Sequence, residues 1–135
     1  MDTREIFNTV AALVCSGLAY LFGAWDSAIQ VLILFIALDY ITGVWGAVVL
    51  KRVSSVIGIN GIFKKATILI VLITAVLLDR LINNGTWAFR TLVCYFYIAN
   101  EGISILENAV IIGIPVPNKL VDILKNLRSK EDTHE

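Results

Sequence analysis

Histidine is nearly absent from this chain: His134 is the only one, next to the last residue. It cannot assemble a His-based triad or a His-rich metal site, and no other catalytic constellation appears. The chain therefore reads as a non-enzyme without metal or cofactor. Cysteine is also scarce. Cys15 and Cys94 each fall inside an apolar run without partner spacing, which reads as packing rather than a disulfide or metal site. Charged residues make up only 16% of the 135 positions, against about 25% in a soluble domain. The eleven basic and eleven acidic residues cancel, so net charge indicates neither nucleic acid nor another strongly charged partner.

Apolar residues fill the space left. They form 58% of the chain, with a mean hydropathy of +0.81, and gather in blocks of about the twenty residues that a spanning helix needs. This predicts an all-α integral membrane protein whose environment is the lipid bilayer. Four segments are expected, at Ile6–Trp25, Ser27–Leu50, about Ile62–Ile82 and Trp87–Ile112. Residues 1–114 form the transmembrane domain, and 115–135 a cytoplasmic tail, amphipathic and then flexible. Asp2 and Glu5 beside Arg4 leave no clearly basic n-region, so the first segment reads as retained rather than as a signal peptide. Three crossings, with the first segment lying partly in the interface, are the alternative. Asn83, Asn84 and Gly85 form a turn-prone link, and Pro115 and Pro117 end the fourth segment.

Basic residues set the orientation. Lys51, Arg52, Lys64 and Lys65 occupy the link between segments two and three, and Lys119, Lys125, Arg128 and Lys130 the tail. Both regions are expected on the cytoplasmic face, with the C-terminus. Lys51, Arg52, Lys64 and Lys65 are expected to anchor at phospholipid head groups, while Val56, Ile57 and Ile59 dip into the interface. Leu120, Ile123, Leu124 and Leu127 trace one side of a short amphipathic helix.

Asp39 and Glu101 stand near the middle of apolar runs, where a carboxylate costs about 2.5–3.5 kcal/mol even on a lenient scale. Asp39 shares a face with Gly43 and Ala47, a row of small residues suited to close helix approach. Ala11, Cys15, Ala19 and Gly23 make a similar row in segment one. In segment four, Arg90, Cys94, Tyr97, Glu101, Ser104 and Asn108 recur every three or four residues, a polar stripe widened by Asn100 and Glu107. Arg90 is roughly 16 Å along the helix from Glu101, and no cation is evident at the depth of the two acids. They are then protonated, hydrogen-bonded to Tyr40, Thr42, Asn100 or Asn108, or facing water. A stripe of this kind either lines a wet surface or joins helices, and both readings stay open.

The L-D-Y-I-T-G-V run at 38–44, the K-R-V-S-S…G…G-I-F-K-K stretch at 51–65 and the F-Y-I-A-N-E-G-I-S-I-L-E-N-A run at 96–109 resemble the phage lysis and toxin-secretion holin family. The resemblance covers about Leu38 to Leu127, with the three motifs in the family's order and spacing. It implies a small protein of the bacterial cytoplasmic membrane that forms homo-oligomers and, at a set time, lesions releasing an endolysin or a toxin. By that likeness Asp39, Tyr40, Thr42, Gly43, Asn100, Glu101, Gly102, Glu107 and Asn108 occupy motif positions. Pore or assembly roles for these, and for Arg90, Cys94, Tyr97 and Ser104, rest on the physical argument. Other readings are a small proton-coupled exporter or channel subunit, and an antiholin that partners and restrains a holin.

Overall fold

The computed structural model describes residues 2–84 and 86–132. Among these residues the chain forms five α-helices and no strand: α1 (Thr3–Phe22), α2 (Ser27–Val49), α3 (Ser55–Ile82), α4 (Ala88–Ile112) and α5 (Asn118–Asp132). Gly85 of the expected turn, His134 and the end of the expected flexible tail lie outside the described residues. Local chemistry sets the helix ends. The Asp26 carboxylate accepts the Ile29 N–H at 3.2 Å and so caps α2. At the other end of α2, Lys51 takes a left-handed φ of 54°, and the Arg52 N–H reaches back to the Ala47 carbonyl at 2.8 Å. Gly113, with φ 98°, closes α4 in the same way.

One boundary differs from expectation. α3 starts at Ser55, not near Ile62. Ser54 is extended, as an N-cap residue should be, and no proline interrupts the chain from there to Ile82. Val56, Ile57 and Ile59 thus belong to the opening turns of α3. Gly58 and Gly61, weak helix formers, are held here because the Tyr40 side chain lies over them, 3.6 and 3.5 Å from where their β-carbons would be.

α2 lies along α4, α3 packs mainly against α4, α1 leans chiefly on α3, and α5 folds back against α4. Ile29, Leu32, Leu72 and Cys94 are fully buried and form the core with Phe22. α1 contributes little: Ala11 and Ala19 of its small-residue row are half-buried and Cys15 is exposed. In α5, Leu124 turns inward while Leu120, Ile123 and Leu127 face outward. Three helices, α1, α2 and α3, are long and apolar enough to cross a membrane. α4 has 25 residues, roughly 37 Å of helix, and buries Arg90 and Glu101 among its neighbours. The outer surface is apolar, with Leu34, Ile41, Phe63 and Ile70 all exposed, as a lipid-facing surface requires. The chain is an all-helical membrane protein.

Candidate functional site

Three helices each contribute one ionisable group to a single point. Asp39 comes from α2, Lys65 from α3 and Glu101 from α4. The Lys65 ammonium donates to Asp39 Oδ2 and to Glu101 Oε2, and the side chains are 18%, 9% and 8% exposed for Lys65, Asp39 and Glu101. The other Asp39 oxygen accepts from Asn108 Nδ2 at 2.9 Å, and the same amide lies 3.0 Å from Thr42 Oγ1. The Thr42 hydroxyl donates to the Leu38 carbonyl at 2.8 Å. One ammonium and one amide thereby tie α2, α3 and α4 together. Two carboxylates against one ammonium leave this cluster with an excess negative charge or a shared proton.

This corrects two expectations. A cation does stand at the depth of the acids, and it is Lys65, which was expected at the head groups. The reason is that α3 already forms at Ser55, so Lys64 and Lys65 sit on one helix about 100° apart. Lys64 is exposed and Lys65 turns inward. Lys51 and Arg52 are also exposed.

A second polar cluster closes the opposite end of the bundle. Asp79 of α3 accepts the backbone N–H groups of Phe89 at 3.0 Å and Arg90 at 2.7 Å, and Asn83 Nδ2 at 2.8 Å. It caps α4, whose own N-cap, Trp87, makes no side-chain bond. The Arg90 guanidinium meets both Asp26 oxygens at 2.9 Å and donates to the Phe22 and Ala24 carbonyls at 2.6 and 3.1 Å. Arg90 joins the α1–α2 link to α4 with its donors in use, a bidentate pairing that lysine could not copy. Gly23, with φ 84°, lets it pass: a β-carbon there would lie 3.0 Å from Arg90 Cδ. The hydrogen bonds from Arg90 hold the Asp26 carboxyl below its ordinary value of 3.8. Nearby, the Arg80 guanidinium stacks 3.8 Å above the Tyr20 ring.

The structure therefore divides the α4 stripe. Arg90 belongs to the end cluster and Cys94 to the dry core, with Tyr97 packed against that core. Glu101 and Asn108 share the lysine-centred cluster. Ser104 and Asn100 are half-buried, and Glu107 is exposed. Tyr40 covers the α3 glycines, and Gly43 leaves room for Asn108, whose Nδ2 lies 3.6 Å from the missing β-carbon. Asp79 was not anticipated. Its one signal is an acid just before a turn and a new helix, where free N–H groups need an acceptor. A cavity of about 300 Å³ opens beside the lysine-centred cluster, with Asp39, Lys65, Ser104 and Asn108 at its inner end and exposed Arg52 and Lys64 at its rim.

Residues 16–129 match the bacteriophage holin family. The chain belongs to that family. The match takes in α2, α3 and α4 whole, and with them both polar clusters of this holin-family chain. It is 55% identical over 112 residues to an uncharacterised 14.9 kDa protein of the nagH 3′ region in Clostridium perfringens, covering 83% of this chain and 85% of the relative. It is 46% identical over 112 residues to an uncharacterised Clostridium acetobutylicum protein, covering 83% and 90%. It is also 38% identical over 115 residues to a probable holin of Bacillus phage phi105, covering 84% and 83%. No solved structure matches the chain.

Proposed function

We propose that this protein is a holin that accumulates in the bacterial cytoplasmic membrane, self-associates, and opens lesions at a timed trigger to release an endolysin or a toxin. The observation that carries this reading is the Asp39–Lys65–Glu101 bridge with Asn108. In the closed form Arg90, Glu101 and Asn108 of α4 find partners inside one chain while the outside stays largely apolar, so the protein can wait in lipid. If α2 or α3 moves off α4, the same groups face water and line the wall of a lesion between copies. Polar groups in a membrane are costly unless paired or hydrated, and this arrangement gives them partners in both states. The basic residues at 51–52, 64 and 119–128 support a cytoplasmic C-terminus.

Inducible expression beside a cytoplasmic endolysin tests the reading. Abrupt lysis is expected, after an interval in which membrane potential stays intact. Steady leakage from first synthesis contradicts triggered opening. Drug resistance without lysis identifies an exporter, and delayed lysis beside a known holin identifies an antiholin.

A further inference from the structure

The cavity beside the lysine-centred cluster has a rim that the holin reading leaves unused. Its walls are mostly apolar: Val44 and Ala47 from α2, Val53 from the link and Ile57 from α3. Arg52, from the link, and Lys64, from α3 one residue before Lys65, both line the cavity and are exposed. Among the described residues neither side chain has a hydrogen bond or ion pair. Lys65 adds a third cation further in, but its charge is committed to Asp39 and Glu101. The free charge at the rim is therefore positive. This end is also where the apolar stretch of α2 gives way to Lys51 and Arg52, the level at which head groups lie. Gly58 and Gly61 keep the α3 wall low, since their missing side chains would fill the space in front of Tyr40.

We propose that this groove is a binding site for one anionic phospholipid. Its phosphate sits between Arg52 and Lys64, and the start of an acyl chain lies along Val44, Ala47 and Ile57. Basic hollows between membrane helices suit anionic head groups, which concentrate in the cytoplasmic leaflet where the basic-residue pattern places this face. The apolar walls select a lipid over a free phosphate. A zwitterionic lipid brings its own cation to the rim and loses the advantage. Each rim cation is worth roughly fivefold in preference for an anionic head group, so removing both costs roughly 30-fold.

The test uses the full chain reconstituted in nanodiscs of mixed phosphatidylglycerol and phosphatidylcholine, with retained lipids counted by native mass spectrometry. The unaltered protein should keep one phosphatidylglycerol per chain in preference to phosphatidylcholine. Arg52→Gln with Lys64→Gln should bring that preference down roughly 30-fold. Val44→Trp, which fills the groove and leaves both cations, should expel the lipid as well. Retention indifferent to head-group charge overturns the proposal, and so does a double variant that behaves like the unaltered protein. Displacement by inorganic phosphate, with Val44→Trp without effect, would show two surface cations binding any phosphate. These readouts do not involve lysis, so they can fail while the holin reading stands, or the reverse.

Discussion

At Lys65 one ammonium serves two carboxylates from two other helices, and all three side chains are largely screened from solvent. Removing the cation leaves two acids facing each other, and an orphaned charge of this kind costs roughly 3–5 kcal/mol. Lys65→Met should therefore destabilise the protein by roughly 3 kcal/mol in detergent, read by thermal unfolding. Adding Asp39→Asn and Glu101→Gln should recover most of the loss, because the remaining amides can pair with each other. A triple variant no more stable than Lys65→Met would show that the cluster is not what holds these helices. Asp26 supports a second prediction, about pH. Its carboxyl is held below the ordinary value of 3.8 by Arg90, so its contribution is present above that value and is lost as pH falls through the lower folded value. Asparagine caps a helix nearly as well as aspartate, so Asp26→Asn isolates the charge. The variant should melt below the unaltered protein at neutral pH, and the two melting curves should converge in strong acid. Because the Asp26 side chain is 46% exposed, the gap should shrink with added salt.

Among the elements, the apolar blocks were plain in the sequence, because twenty-residue runs between polar links leave little choice of structure. The polar stripe of α4 was equally plain, since its spacing needs only one helix. Pairing between helices stayed hidden. Gly58, Gly61, Lys65, Ile68, Leu72, Ala75 and Asp79 alternate by three and four residues, and all are buried or half-buried in α3. That seam places Lys65 inside and Asp79 on the cap of α4. It was obscured because a basic pair beside glycines reads as a membrane-surface link, which ends the helix before the seam begins. The docking of α5 was hidden for a similar reason: nothing local says which of its leucines turns inward. Here Gly102 decides. A β-carbon on it would lie 3.1 Å from Leu124 Cδ1 and 3.2 Å from Phe35 Cε2. Alanine asks Leu124 to yield by a few tenths of an ångström, whereas leucine has no room. Overpacking of this kind costs roughly 1–3 kcal/mol, and Leu124 of α5 and Phe35 of α2 are the side chains that must yield. Gly102→Leu should free α5 from α4, and limited trypsin digestion at Lys119 and Lys125 should then run at least several-fold faster. Unchanged digestion would mean that α5 is held by something other than this contact.

For the whole molecule, the two polar clusters divide the work. At one end Arg90, Asp26 and Asp79 fasten the α1–α2 link and α3 to the start of α4 through direct bonds to backbone and carboxylate. At the other, α2, α3 and α4 meet through side-chain contacts around Lys65, with a cavity beside them. On the proposed holin reading, a bundle built this way should open from the Lys65 end, where fewer backbone groups must be released. If α2 is the helix that leaves α4, the two part near Gly46, whose missing β-carbon lies 3.9 Å from Ile111 Cβ. That separation is within the 3.5–4.5 Å typical of a disulfide. Gly46→Cys with Ile111→Cys, in a background of Cys15→Ser and Cys94→Ala, should therefore form a reversible lock across α2 and α4. In vesicles loaded with dye, the oxidised double variant should release little or nothing. Reduction should restore the release given by the unlocked background, while either single variant should be indifferent to reductant. If the oxidised protein leaks as freely as the reduced one, α2 and α4 move together. On the proposed holin reading, the wall of a lesion would then form by departure of α3, with Lys65 carried away from both acids.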